Sequence, residues 1–246
     1  MQAAQQRPYR NIGFFFLLLL VLVVAGFTPA VPGTPFFGYF GQLGGTRHVP
    51  ASIHLHAAIA LAWFVLLALQ PFLMRANRVA LHKVLGWASI AIVLLFTGTA
   101  IAVMQHFYAQ AITQMPRDTV LSLLAQSFSA LSLLLICYTT ALLRRRRIHQ
   151  HVAFLVGAAL ATATPGLARL GLYVVGGMPG ILLVVAMIYA TLIGFMLLAK
   201  LRYRQPIRRS PYLIIIALFL LAHALDFVGG QTRTWRWLAG QVVANW

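Results

Sequence analysis

The chain has 246 residues, of which 61% are hydrophobic and only 9% charged, with a mean hydropathy of +0.86. That composition excludes a water-soluble domain, whose surface needs far more charge. The formal net charge of +17 arises because 19 Lys and Arg face only two acids, Asp118 and Asp226. Long apolar runs separate the basic residues, so they mark loops between membrane segments rather than a nucleic-acid surface.

The chain opens with MQAAQQRPYR, a basic lead before an apolar run. This resembles a signal peptide. The run from Ile12 to Ala30 is longer than the usual h-region of roughly 7–15 residues, so it reads as an uncleaved first helix. Further apolar segments follow, and the seven together fall at 12–31, 51–73, 82–105, 119–143, 150–174, 179–201 and 211–228. Each approaches the ~20 residues that a ~30 Å hydrocarbon layer requires. Backbone groups in lipid must be satisfied within the segment, which makes these spans helices; the alternating short segments of a barrel are absent. The expected fold is therefore all-α: one transmembrane domain over residues 1–246, a seven-helix bundle with a tail at 229–246.

Charge sets the expected orientation. Arg7 and Arg10, then Arg75, Arg78 and Lys83, then Arg144 to Arg147, then Lys200, Arg202, Arg204, Arg208 and Arg209 fall on one side if there are seven crossings. They are fourteen of the nineteen Lys and Arg, against Arg47, Arg117, Arg233 and Arg236 on the other side and Arg169 within a span. By the positive-inside rule the N-terminus is cytoplasmic and the C-terminus outside, as in a bacterial inner membrane. The connection VPGTPFFGYFGQLGGTRHVP reads as an interfacial loop, with a lid over the outer face as the alternative. In the tail, Trp235, Leu238, Val242 and Trp246 share one helical face, which suits a helix lying on the outer interface. Cys137, alone in an apolar run, reads as a buried core thiol.

Polar residues inside spans normally face the bundle. In HLHAAIALAWFVLLALQ, His54 and His56 are about 200° apart on a helix and cannot chelate one metal. His56, Trp63 and Gln70, spaced by seven, form one stripe. His82, Gly86 and Ser89 share a face on the next helix, where small residues admit a neighbouring helix or a flat ligand. His151, Thr162 and Arg169 lie on one stripe of the fifth helix, which Pro165 interrupts. His223 and Asp226 are neighbours on the seventh. Two polar layers are expected: an outer one with His56, His106, Gln126, Arg169, His223 and Asp226, and an inner one with His82, His149, His151 and Gln70. For His48 and His149 a plain interfacial role is the simpler reading. By depth, Arg169 and Asp226 are expected to form a structural ion pair.

These residue types suit several ligands. A bis-histidine haem b needs two imidazoles at matching depth and small residues to make room. His82 with His151 meets that on the inner side, and His56 with His223 or His106 on the outer. The set His56, His223 and Asp226 suits zinc or copper. A quinone or small-lipid pocket bonded by His and Gln and walled by Trp63 is a third option. No G-x-S-x-G, H-E-x-x-H or P-loop is present, and one intramembrane acid excludes paired-carboxylate chemistry.

The succession HLHAAIALAWFVLLALQ, LHKVLG and RRRRIHQHVAFL leading to ARL resembles a family of bacterial multipass membrane proteins, domain of unknown function 2306. The matching positions are His54, His56, Trp63, Gln70, His82, Gly86, His151 and Arg169, within residues 50 to 172. The resemblance implies a multipass fold but no assigned activity. The helix start LHKVLG also looks like that of dihaem cytochromes b and ferric-reductase-like proteins, although the fourth helix here has no histidine. The leading expectation is a histidine-lined cofactor protein, haem-linked electron transfer, acting with the lipid bilayer, a quinone or redox partner, or a larger complex. The alternatives are a transporter or assembly subunit with a metal or substrate site in the outer layer, and a structural subunit.

Overall fold

The computed structural model describes residues 9, 11–31, 38–40 and 49–243. The chain forms α1 (Ile12–Gly26), α2 (Ala51–Arg75), α3 (Val79–Ala111), α4 (Arg117–Leu143), α5 (Ile148–Val174), α6 (Gly177–Tyr203), α7 (Pro211–Phe227) and α8 (Arg233–Val243). Short 3-10 turns at Ile207–Arg209 and Gly229–Gln231 flank α7, and no strand occurs among the described residues. Among the described residues six helical stretches are long and apolar enough to cross a membrane, α2 to α6 and α7 with the turn after it (Pro211–Gln231).

Two helices differ from their expected bounds by more than two residues at an end. α1 stops at Gly26, not residue 31. The Phe27 and Thr28 N–H groups fold back onto the carbonyls of Val23 and Ala25, and Pro29 cannot prolong the helix. Its 15 residues span about 22 Å. α3 runs from Val79 to Ala111, well beyond 82–105. Its 33 residues measure about 50 Å, longer than a ~30 Å hydrocarbon layer, and its last turns carry the polar Gln105, His106 and Gln110. Those polar side chains lowered the local hydropathy and hid the helix end.

α5 is the central rod. Small residues along it, among them Gly157, Ala158, Ala159, Ala161 and Ala163, are buried, and α1, α4, α6 and α7 pack around them. At two points backbones meet directly. A Cβ on Gly26 of α1 would collide with the Gly166 carbonyl of α5, and one on Gly171 with the Gly180 carbonyl of α6. The periphery is apolar instead: Phe14, Leu18, Trp87, Leu94, Leu95 and Leu201 are exposed. A patch this extensive belongs in lipid.

α8 lies across one end of α3 and α4. Trp235 donates its indole N–H to the Leu121 carbonyl (2.8 Å), and Gln105 Nε2 donates to the Val242 carbonyl (3.3 Å). Of the expected apolar face, Trp235 and Val242 pack inward with Ala239 and Val243, whereas Leu238 is exposed. Trp246 lies outside the described residues. Cys137 is fully buried, as expected of a core thiol.

Candidate functional site

Cavities open at both ends of the bundle, and two of them gather the polar side chains. The larger, about 1010 Å³, sits at the end that carries the basic turns and is lined by α2, α3, α4 and α5 together with Tyr9 and the start of α1. The smaller, about 480 Å³, lies at the opposite end between α1, α2, α3 and α5. The consecutive residues Trp63 and Phe64, both almost fully buried, face one cavity each.

The larger cavity gathers three of the four residues of the expected inner layer, without His149. His82, Gln70, Trp63, Gly86, Ser89 and His151 all line it. The α2–α3 turn makes this convergence local: Arg78 N–H reaches back to the Leu73 carbonyl (2.9 Å), with Asn77 in the left-handed region at φ 59°. Asn tolerates that conformation better than most residues. Gly86 faces the Gln70 amide and leaves space beside it; an added Cβ would stand 3.9 Å from Gln70 Nε2.

The polar atoms here are unequally satisfied. His151 Nδ1 lies 2.9 Å from the Ala141 carbonyl, which can only accept, so Nδ1 carries the proton and Nε2 is bare when the ring is neutral. His82 is close enough to His151 for their charges to interact. His82 Nδ1 and Gln70 Oε1 are buried with no hydrogen-bond partner. Burying such groups unpaired is costly, so they mark a place where a ligand would supply the missing bonds. Ser89 gives its hydrogen to the Gly86 carbonyl (2.6 Å) and therefore accepts from the Tyr138 hydroxyl (2.6 Å). Tyr138 in turn stands edge-on to Trp63, with ring centroids 5.6 Å apart. Arg75, Lys83 and Arg145 also line the cavity, so its walls carry three positive charges and no acid.

The smaller cavity gathers part of the expected outer layer: His56, His106 and Arg169, with Thr162, Pro165, Gln110 and Gln114. The Arg169 guanidinium lies over the Phe27 ring, 4.5 Å from its centroid. Residues Tyr39 and Phe40 of the long connection cover this cavity, anchored by Phe40 N–H to the Phe27 carbonyl (3.0 Å) and Tyr39 hydroxyl to His54 Nδ1 (2.9 Å). Burial pushes the Tyr39 phenol pKa up. Residues 32–37 and 41–48 of that connection, His48 among them, lie outside the described residues.

Other expected partners are not brought together. His223 Nδ1 bonds the Tyr189 hydroxyl of α6 at 2.8 Å and lines neither cavity. Asp226 lies beside Ser129 of α4, with its Oδ1 buried and unpartnered. The expected Arg169–Asp226 ion pair is therefore replaced by two separate environments, because Arg169 turns to Phe27 and Asp226 to α4. The set His56, His223 and Asp226 is not assembled: among the described residues no three His, Cys, Asp or Glu side chains form a metal-binding group. His56 and His223 do not face each other either, since His56 bonds Thr99 of α3 and His223 bonds α6. Gln126 lines neither cavity. His149 fastens the chain before α1, through a 3.0 Å contact with the Tyr9 hydroxyl.

Sequence reasoning missed Tyr138, Thr99, Gln110 and Gln114. The first two pair across helices, where spacing along one helix carries no signal. The glutamines sit on the unforeseen extension of α3 and on the turn after it. Comparison with family models, curated proteins and solved structures finds no match.

Proposed function

We propose that the protein is a seven-crossing inner-membrane protein that binds haem b in the larger cavity for electron transfer, with His82 and His151 as the two imidazoles that would hold it. The observation that carries this reading is one cavity shared by two histidines and by two orphaned buried polar atoms, His82 Nδ1 and Gln70 Oε1. The donor set suits the group. His151 has its proton committed to Ala141, the arrangement that leaves Nε2 as a ligand and fixes the ring. Gly86 provides clearance, and Trp63 walls the deep side. Arg75, Lys83 and Arg145 offer counter-charges for two propionates. When bound, haem would supply one-electron chemistry. The protein's part is to hold two neutral imidazoles, exclude water with apolar walls and set the local charge.

The proposed topology places the N-terminus and the larger cavity on the cytoplasmic side and α8 outside, following the basic turns. In this topology α1, about 22 Å long, completes its crossing with non-helical residues after Gly26 that pack on the bundle.

The test is a reduced-minus-oxidised spectrum of protein expressed with added haem and purified in mild detergent. A Soret shift and sharp alpha band, lost in His82→Ala and in His151→Ala but kept in His149→Ala, supports the assignment. A colourless protein, or a spectrum indifferent to His82 and His151, overturns it.

A further inference from the structure

The smaller cavity has a chemistry of its own, independent of what fills the larger one. Thr99 has one hydroxyl hydrogen, and it points to backbone carbonyls of its own helix, Leu95 at 2.8 Å and Phe96 at 3.2 Å. Its oxygen therefore accepts the 3.0 Å bond from His56 Nδ1, which must carry the ring proton. His56 Nε2 is left as a bare lone pair on a side chain that lines the cavity. Arg169, lining the same cavity, offers N–H donors. Phe27, Phe64 and Phe107 supply flat apolar walls. The chain's two acids lie elsewhere, Asp118 with Arg236 and Asp226 with Ser129, so no acidic side chain lines this space.

We propose that this cavity is a binding site for the headgroup of a lipid-soluble quinol. One ligand hydroxyl donates to His56 Nε2, and the other ring oxygen accepts from Arg169. The planar ring lies among the phenylalanines. A fatty acid would use Arg169 and the apolar walls but would have no proton to give His56 when ionised. A neutral hydrocarbon would use neither polar group. A quinol uses both, and its size suits a cavity of about 480 Å³.

The probe is a short-chain ubiquinol, compared with its oxidised form and with palmitate, binding to the full chain in nanodiscs by equilibrium dialysis under argon. We expect one ubiquinol per chain. His56→Phe and Arg169→Gln each weaken it about tenfold or more, the usual cost of one hydrogen bond to a buried or charged partner. Ala57→Phe, which fills the cavity, abolishes binding, and Gly194→Ala, on a helix that lines neither cavity and with open space for the Cβ, leaves it unchanged. The oxidised form, lacking a hydroxyl donor, binds more weakly to wild type and equally to wild type and His56→Phe. If Arg169→Gln fails to fold, His56→Phe and Ala57→Phe decide. Absence of ubiquinol binding, binding indifferent to His56 and Ala57, or preferential palmitate binding lost only with Arg169 overturns the proposal. The dialysis reads ubiquinol and no haem spectrum, and apart from the Gly194→Ala control it varies only residues of the smaller cavity, so this outcome is separate from the fate of the haem assignment.

Discussion

Trp63 of α2 donates its indole N–H to Thr162 Oγ1 of α5 across 3.1 Å, and Thr162 passes its own hydrogen to the Ala158 carbonyl at 3.0 Å. The bond ties two helices at the partition between the cavities. Thr162→Val should leave a buried indole N–H unsatisfied and cost about 1–3 kcal/mol. Trp63→Phe removes the donor along with ring volume, so it should also perturb the larger cavity. Thermal unfolding in detergent micelles checks the order: both variants unfold below wild type, and a Trp63→Phe/Thr162→Val double variant loses less than the sum of the two.

The contact of Gly26 with Gly166 predicts intolerance of any added carbon. Gly26→Ala places a Cβ against the Gly166 carbonyl, so α1 must move off α5. Overpacking of this kind costs about 1–3 kcal/mol. Gly98 of α3, whose Cβ would meet nothing, is the matched control and should accept Ala without loss. Proteolysis of the N-terminal segment in detergent would report the difference.

Alkaline pH should loosen the start of α1. Burial first, then the neighbouring Tyr203 hydroxyl, hold the Tyr9 phenol pKa well above its ordinary value. A folded-state pKa raised above that of the unfolded chain contributes stability that is fully present below about pH 10 and is lost as pH rises toward the raised value. Tyr9→Phe should therefore flatten the alkaline decline while forfeiting the bond to His149 at neutral pH. A pH series of unfolding midpoints, wild type against variant, settles it; parallel curves would refute the account.

α8 is held by packing rather than by its ion pair. Arg236 and Asp118 approach to 2.6 Å, but the Asp118 side chain is 64% exposed. Such pairs contribute little. Asp118→Asn should change stability by less than about 1 kcal/mol. Trp235→Ala removes both the ring packed on Phe128 and the bond to Leu121, and should cost about 3–5 kcal/mol or detach α8 outright. Tryptophan fluorescence and accessibility of a cysteine placed at Thr232 would distinguish the two.

What could be read from the residues followed from solvent. Apolar runs of spanning length had one low-cost solution, so α2 to α7 were legible, and the stripes of His56 and His82 correctly marked faces turned inward. Depth was legible too: His82, His151 and Gln70 share one cavity as their positions implied. Azimuth between helices was not. His223 and Asp226 matched Arg169 and His56 in depth, yet α7 turns them toward α6 and α4, and nothing along a single helix encodes that rotation. Helix ends were obscured wherever polar residues continued a helix, as at Gln105 to Gln110.

The central position of α5 has a consequence for biogenesis. Its most apolar stretch has a mean hydropathy of 1.5, the lowest among the six long helices, and 78% of that stretch is buried inside the protein. Taken alone, such a segment gains least from leaving the translocation channel sideways. α4, at 2.1, is joined to it through only Arg144–Arg147. The pair is then expected to partition into the bilayer as a hairpin, the more apolar arm carrying the other. Substitutions that dilute α4 should then surface as misinserted α5.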